Sequence, residues 1–172
     1  YQVTPLFVND RLYICTPLNR VLALDPVTGK EIWAFDPHET LFEDPAEVST
    51  CRGVIYWEAD TPLPDTRCEK RVFKADRQGR MFAVDADTGE ICKDFGNGGF
   101  VDLKVPESGG GGRIYMTSPQ AILGDSVIIG GAAELGGLQA AMIGGGAVTA
   151  IVFVLMLRRY RTMVAALEMK NL

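Results

Sequence analysis

Cysteine and histidine, the side chains that most often bind metals or act as nucleophiles, are few in this chain. Four cysteines and a single histidine, His38, occur among 172 residues. None of the cysteines forms a CxxC pair, so a zinc site of the usual Cys/His type is not indicated. We interpret the cysteines as small buried hydrophobic side chains, although in an oxidising compartment they could form disulfides whose connectivity the sequence does not give. The four are Cys15, Cys51, Cys68 and Cys92.

The charge balance argues against nucleic acid as a partner. The chain has 22 acidic and 17 basic residues and a net charge of −5. A nucleic-acid-binding protein needs a basic patch or stripe, which this composition does not suggest. The length fits about one domain of ordinary size. No signal-peptide pattern opens the sequence, so we expect either a trimmed mature chain or a piece of a longer protein.

The elements that must position any site repeat along the chain. The stretch VLALDPVTGKEIWAFD at 21–36 returns 60 residues later as MFAVDADTGEICKDFG at 81–96. Each copy combines a strand, an Asp-x-x-Thr-Gly turn and a further strand, and the order of turn residues suits a tight turn. A third start at 121–129 echoes 6–14. The predicted strands are 11–16, 21–24 and 31–35 in the first copy, and 53–57, 71–75, 81–84 and 90–95 in the second.

Short strands at this spacing predict an all-β repeat. Four-stranded units that recur every ~40–50 residues are the signature of a β-propeller, and a Pro- and Asp-rich loop at 58–70 accounts for the longer offset. A β-sandwich is the alternative, but the turn followed by an aromatic strand recurs in register. Propellers close with about 4–8 blades, so we expect this chain to be incomplete or to pack against further material.

The phrase A-L-D-x-x-T-G-K-E-I-W resembles the tryptophan-docking repeat of the quinoprotein dehydrogenases, whose cofactor is pyrroloquinoline quinone (PQQ). The phrases LYICT, TCRG and EIC are most similar to the membrane-bound glucose and quinate/shikimate dehydrogenases. The resemblance covers residues 1–130, and its further phrases occur in the family's order. They are YQVTPL at 1–6, LYICT at 12–16, TCRGVIYW at 50–57 and YMTSP at 115–119, followed by 125–131.

The resemblance implies an all-β, partial β-propeller of two to three PQQ/tryptophan-docking blades over residues 1–134. It implies PQQ on the propeller axis beside a divalent metal, calcium or magnesium. The reaction implied is oxidation of a sugar, polyol or cyclitol hydroxyl with electrons passed to ubiquinone, the cofactor supplying the redox chemistry. The family's catalytic aspartate and its motif are not found here, so no catalytic residue is assigned. We therefore expect the isolated chain not to turn over substrate.

Four residues are assigned to the cofactor by this resemblance. Arg52, in TCRG, offers a planar and permanently charged guanidinium to the carboxylates of PQQ; a salt-bridged arginine at a strand edge is the alternative. Thr117 and Ser118 would donate hydroxyl hydrogen bonds to a carboxylate, unless they only form a turn before Pro119. Gln2 stands where the family often has Glu or Gln, unless it belongs to a frayed terminus.

Four other residues receive expectations of different kinds. Glu134 echoes the G-A-E-L-G segment of the alcohol-oxidising branch and would be a hard oxygen ligand for calcium, with a polar residue beside a membrane as the alternative. Trp57 stands where glucose dehydrogenases tend to carry His, which puts glucose as the substrate in doubt. Trp33 matches the docking tryptophan and is expected to pack the blade. His38 is expected at the surface.

The C-terminal part differs in composition from the rest. Residues 135–157 contain no charged side chain, and about 20 apolar residues suffice to cross a bilayer as a helix. We therefore predict one transmembrane helix at 135–157, with a buried core helix or a glycine-rich loop as the alternative. Arg158, Arg159 and Arg161 follow, which predicts a cytoplasmic tail at 158–172 and a propeller part that faces the periplasm from the inner membrane.

Competing functions remain at this stage. The first is a fragment of a membrane-bound PQQ dehydrogenase; the second is a non-catalytic PQQ-repeat scaffold or binding module anchored to the membrane. Arg52 and the hydroxyls of Thr117 and Ser118 favour the first, because a scaffold does not need a cation that faces the propeller axis. Membrane-bound members of the family carry their helices before the propeller. The segment 135–157, with its arginine-rich end, also resembles the last helix of a major-facilitator-type transporter, and only this C-terminal part of the chain supports a transporter remnant.

Overall fold

A computed structural model describes residues 2–43, 48–63, 66–103, 114–116, 119–133 and 150–156. The described chain is mostly β, as the sequence predicts, with one short helix. The elements are β1 Leu6–Val8, β2 Arg11–Cys15, β3 Val21–Leu24, β4 Glu31–Phe35, α1 Pro37–Thr40, β5 Ile55–Glu58, β6 Lys70–Ala75, β7 Arg80–Asp85, β8 Phe100–Asp102, β9 Ile114–Tyr115, β10 Ala121–Leu123, β11 Ser126–Ala133 and β12 Ala150–Met156.

The strands form three four-stranded sheets. Sheet 1 has the order β1-β2-β3-β4, and sheet 2 has the order β5-β6-β7-β8. Sheet 3 has the order β10-β11-β12, with β9 paired to β11. Sheets 1 and 2 are antiparallel meanders of consecutive strands, which is the form expected of propeller blades.

The repeated Asp-x-x-Thr-Gly motif builds the same turn in sheets 1 and 2. Asp25 Oδ1 accepts hydrogen bonds from the backbone of Thr28 at 2.7 Å and from the Thr28 hydroxyl at 2.8 Å. Asp85 Oδ1 does the same with Thr88, at 2.9 and 3.1 Å. The backbone hydrogen bond from Thr28, followed by that from its hydroxyl, lowers the pKa of Asp25. The motif is therefore a side-chain-capped turn between the third strand and the residues that follow it.

The third start of the repeat also folds like the first. In the β1–β2 hairpin Leu6 pairs with Tyr13 and Val8 with Arg11. In the β10–β11 hairpin Ala121 pairs with Ile128 and Leu123 with Ser126. Both hairpins close through two residues, so sheet 3 begins as sheet 1 does.

One predicted strand is wrong. In the predicted strand 90–95 only Ile91 makes a bridge, to Val84, and the fourth strand of sheet 2 is β8 instead. Cys92 is bonded to Cys68, and its amide donates to the carbonyl of Ala83 at 2.9 Å. The chain then turns through three glycines with positive φ before β8 begins. They are Gly96, Gly98 and Gly99, with φ of 57°, 68° and 115°.

The core lies between the sheets, and sheet 2 is buried on both faces. Sheet 1 and sheet 2 share one apolar cluster, and sheets 2 and 3 share the other. Alternate residues of β6 and β7 enter the two clusters, which is why these strands are buried along nearly their whole length. The first cluster includes Tyr13, Trp33, Phe35, Val72, Phe82 and Val84. The second includes Phe73, Met81, Ala83, Val127 and Ile129.

The outward face of sheet 1 is apolar but much less covered. The exposed fraction is 60% for Phe7 and 45% for Ile32. The remaining apolar residues of this outer face are half-buried, unlike their neighbours on the inner face. They are Leu12, Ile14, Leu22, Leu24 and Ala34.

Three donors from sheet 1 converge on one carbonyl, that of Ala86, the residue that follows β7 of sheet 2. Trp33 Nε1 and the Tyr13 hydroxyl each donate to it at 3.1 Å, and Arg11 Nη1 donates at 2.8 Å. The Trp33 ring lies against Gly89, where a Cβ would come within 2.7 Å of it. Trp33 is therefore a packing residue that docks one sheet on the next, in agreement with the sequence prediction.

All four cysteines form disulfides, so their interpretation as free buried side chains is wrong. Cys15 is bonded to Cys51, with 6.0 Å between the Cα atoms, and Cys68 to Cys92, with 5.8 Å. Both separations fall in the usual range for disulfides. The side chains are buried as predicted, but they act as covalent links.

The predicted transmembrane segment is described only in part. Residues 150–156 form strand β12, whereas the sequence predicts a helix there. This strand pairs with β11, from Met156 opposite Ser126 to Ala150 opposite Ala132. Residues 135–149 and 157 lie outside the described residues, so the span as a whole stays a prediction. In the ranges that the structure describes, no helix has the length and apolar character needed to cross a bilayer.

Candidate functional site

The candidate cofactor residues hold equivalent positions in the three sheets. Gln2 precedes the first residue of β1 by four positions, and Arg52 precedes that of β5 by three. Thr117 and Ser118 precede β10 by four and three positions, although both lie outside the described residues. Each of these strands is the edge strand that begins its sheet, and β5 and β10 lie against each other. Gln2 and Arg52 therefore lie at the same end of the first two sheets, and the sequence spacing of Thr117 and Ser118 before β10 matches theirs.

The three segments converge around Gly53. The amide of Thr4 donates to the carbonyl of Arg52 at 2.8 Å. A Cβ at Gly53 would lie 3.0 Å from Cγ of Pro119 and 3.3 Å from the carbonyl oxygen of Thr4. Glycine lets the backbone of Thr4 and the ring of Pro119 approach this closely, since a larger residue would have to displace one of them. The residues that follow each candidate are thus packed at one point.

Arg52 is an exposed cation. Its side chain makes no hydrogen bond or ion pair within the described ranges of the chain. Other arginines have protein partners: Arg71 donates to Asp94 at 2.7 Å, and Arg80 donates to Asp76 at 2.7 Å. Because the Arg52 guanidinium is not used by the described fold, it is available to an anionic ligand.

A cleft of about 400 Å³ opens beside Cys51, the residue that precedes Arg52. Gln2, Thr50, Arg77 and the Cys15–Cys51 disulfide contribute to its walls. An amide, a hydroxyl and a guanidinium are all donors, which suits a ligand with several carboxylates. Arg52 follows Cys51 directly in the chain, and Cys51 is one of the lining residues.

Sequence reasoning missed two of these donors. Thr50 is part of the TCRG phrase, so the phrase itself could have indicated it. Arg77 lies in the turn between β6 and β7 and reaches the cleft because sheet 2 packs on sheet 1. No local pattern could have indicated Arg77.

The other predicted residues fall elsewhere. Trp57 is buried in the cluster between sheets 2 and 3, with the Arg71 guanidinium 5.5 Å from its ring centre. His38 is predicted to be at the surface, but it is half-buried, with its ring centre 5.9 Å from that of Phe42. Glu134 lies outside the described residues, so its role as a metal ligand stays a prediction.

The described residues do not themselves build a metal centre. Cys68, Cys92 and Asp94 are the only group of three potential ligands found close together in the described chain. Both cysteines are committed to one disulfide, so neither offers a thiolate.

Comparison with known proteins gives a consistent result. The family model for the β-propeller domain of PQQ glucose/ethanol/alcohol dehydrogenases matches residues 1–150. Quinoprotein glucose dehydrogenase A of Acinetobacter calcoaceticus is 38% identical over 143 residues, which are 76% of this chain and 18% of that protein. The probable quinate dehydrogenase (quinone) of Xanthomonas campestris pv. juglandis is 35% identical over 162 residues, 84% of this chain and 20% of that protein.

A solved structure resembles the fold as well. The quinohemoprotein alcohol dehydrogenase from Comamonas testosteroni aligns with a TM-score of 0.58 at 21% identity. The alignment covers 91% of this chain and 19% of that one. The chain thus spans about a fifth of the length of the curated relatives it matches.

Proposed function

Because this chain belongs to the family of PQQ β-propeller domains of glucose, ethanol and alcohol dehydrogenases, we propose that it forms the first blades of such an enzyme. The reaction proposed is oxidation of a sugar, polyol or cyclitol hydroxyl. The observation that carries this proposal is the meeting of the three candidate segments around Gly53 beside the unpaired guanidinium of Arg52. PQQ, when bound, accepts the electrons that leave the substrate.

The residues near the cleft have complementary roles in this proposal. Arg52 binds a carboxylate of the cofactor through charge-assisted hydrogen bonds. Gln2 and Thr50, which line the cleft, orient the cofactor with neutral donors. Thr117 and Ser118, which precede β10 in the sequence, add hydroxyl donors.

Further parts of the proposal concern the metal, the acceptor and the membrane. Glu134 contributes one oxygen ligand to calcium or magnesium, because a carboxylate suits a hard cation. Ubiquinone accepts the electrons, and the chain is anchored in the inner membrane with the propeller part in the periplasm and residues 158–172 in the cytoplasm. The uncharged run at 135–157 and the arginines that follow it support this orientation.

The proposal is tested by titration with PQQ in the presence of calcium, followed by fluorescence. We expect Arg52→Ala to weaken binding at least about tenfold, since a hydrogen bond to a charged group contributes ~1.5–3 kcal/mol. Arg67→Ala is the matched control. Arg67 lies in the loop that follows β5, its side chain is 70% exposed, and it pairs with Glu90. Equal affinities of wild type and Arg52→Ala would contradict the role of Arg52. A wild-type chain that binds no PQQ would favour the non-catalytic scaffold.

A further inference from the structure

The segment that carries Arg52 has no strand or helix of its own. Residues 48–54 run without regular structure between α1 and β5. Besides a hydrogen bond from the Ser49 hydroxyl to Oδ1 of Asn19 at 3.3 Å, three links hold the segment to sheet 1 and its leading residues. The amide of Ser49 donates to the carbonyl of Pro17 at 2.8 Å, and the amide of Thr4 donates to the carbonyl of Arg52 at 2.8 Å. The third link is the disulfide between Cys51 and Cys15, the last residue of β2.

Only the disulfide is covalent, and it lies directly beside Arg52. A single backbone hydrogen bond contributes modestly to stability, so links of that kind open readily on their own. A disulfide instead limits how far its two Cα atoms can separate. The Arg52 side chain has no partner in the described chain, so its position follows from that of its backbone.

We propose that the Cys15–Cys51 disulfide positions Arg52 and thereby sets the affinity of the cleft for the cofactor. This inference rests on the proposed function for the identity of the ligand. The effect of the disulfide on the backbone of the 48–54 segment does not depend on any ligand. The disulfide joins sheet 1 to the approach to sheet 2, so it fixes the backbone of Arg52 relative to Gln2, which lines the cleft together with Cys15 and Cys51. Cys15 and Cys51 are positioning residues and do not themselves react with substrate.

The second disulfide is a matched control for the first. Cys68–Cys92 has the same chemistry and closes a comparable stretch of chain, with a separation of 24 residues against 36. In the chain-entropy description the two therefore stabilise the fold to a similar extent. Cys68–Cys92 links residues on either side of β6 and β7, and neither cysteine belongs to the 48–54 segment. A purely stabilising role would thus be shared by both disulfides, whereas a positioning role belongs to Cys15–Cys51 alone.

The test compares C15S/C51S with C68S/C92S in the 172-residue chain by amide hydrogen exchange and by PQQ titration with calcium. The amides of Thr4 and Ser49 report on the segment, and the amide of Ala83, bonded to Gly99, reports on sheet 2. For C15S/C51S we expect exchange at Thr4 and Ser49 to rise at least about tenfold with Ala83 unchanged, and PQQ binding to weaken at least about tenfold. For C68S/C92S we expect Thr4, Ser49 and the PQQ affinity to stay within about twofold.

The outcomes separate this inference from the proposed function. Unchanged exchange at Thr4 and Ser49 in C15S/C51S overturns the inference, and so does a uniform rise that includes Ala83. Faster exchange at Thr4 and Ser49 alone, in a chain whose wild type binds no PQQ, supports the positioning of Arg52 and contradicts the proposed function. Faster exchange with unchanged PQQ affinity overturns the link to cofactor binding.

A second route avoids variants that do not fold. The C68S/C92S chain retains only the disulfide of interest, which a phosphine reductant opens after folding. The sulfur–sulfur bond becomes two thiols, and the phosphine becomes its oxide with oxygen and protons supplied by water. The expected change is the same selective rise in exchange at Thr4 and Ser49. Loss of the whole fold on reduction would overturn the inference, because the disulfide would then act on stability alone.

Discussion

At the scale of single residues, Gly29 and Gly89 end two copies of one turn in different surroundings. Their φ angles are +70° and +76°, but only at Gly89 would a Cβ meet another group, the Trp33 ring at 2.7 Å. We expect Gly29→Ala to lower the free energy of unfolding by about 1–2 kcal/mol through backbone strain. Gly89→Ala should lower the free energy of unfolding by ~2 kcal/mol more than Gly29→Ala does, because Trp33 must leave its packed position. Urea unfolding measures both, and equal losses would contradict the proposed contact between Trp33 and Gly89.

Lys74 is a second residue whose surroundings have a measurable consequence. Burial lowers its pKa to about 8 from 10.5, against the opposing effect of Asp76. Lys74 therefore binds its proton more tightly in the unfolded chain than in the folded one. The destabilisation of the fold by the buried ammonium is complete below pH 8 and is relieved as the pH rises from 8 towards 10.5. Burial also raises the pKa of Tyr13 and Tyr56, and stability that depends on their neutral forms is lost above about pH 10.

We therefore expect Lys74→Met to raise the free energy of unfolding at pH 7 by up to about 3 kcal/mol, given ~1.4 kcal/mol per pKa unit. Wild type should gain stability between pH 8 and 10, and the variant should not. Urea unfolding across this range provides the measurement. A variant that is less stable than wild type at pH 7 would show that the buried amine, which donates to the carbonyl of Ala75, contributes more than its desolvation costs.

At the scale of elements, the sequence indicates most strands because the repeat shows both strand and turn chemistry. The predicted strands 21–24 and 31–35 coincide with β3 and β4, where the capped turn between them has an unmistakable pattern. The prediction fails at 90–95, because the bond from Cys92 to Cys68 and the glycines after it redirect the chain. Which cysteines pair depends on distances between elements, and a local pattern does not contain them.

The candidate site divides in the same way between local and distant information. Gln2 and Arg52 stand in phrases that could be recognised by themselves, and each precedes the first strand of its sheet by three or four residues. Arg77 and the Cys15–Cys51 disulfide reach the cleft through the packing of sheet 2 on sheet 1. Sequence motifs thus predicted the site residues just before the edge strands, whereas the remaining site residues come together only through the packing of the sheets.

At the scale of the whole molecule, the unequal covering of the sheets predicts self-association. Sheet 2 is covered on both faces, whereas sheet 1 exposes Phe7 and Ile32 on an apolar outer face. Exposed contiguous apolar surface of this kind favours contact with a partner surface. We expect the 172-residue chain to associate in solution, and F7K/I32K to weaken that association at least about tenfold.

Analytical ultracentrifugation over a range of concentrations measures this effect. Val27→Lys is the matched control, because Val27 is 91% exposed in the turn after β3 and lies outside the sheet face. It should leave association unchanged. A wild-type chain that stays monomeric at every concentration would contradict the prediction.

The carbonyl of Ala86 offers a direct view of how sheets 1 and 2 come together. It accepts from Arg11, Tyr13 and Trp33 at once, and each hydrogen bond polarises a carbonyl further. A carbon-13 label at this one position would give an infrared band shifted away from the other amide carbonyls. Its frequency would fall as the three donors engage. The moment at which one blade docks on the next could then be timed during refolding without a fluorophore or a mutation.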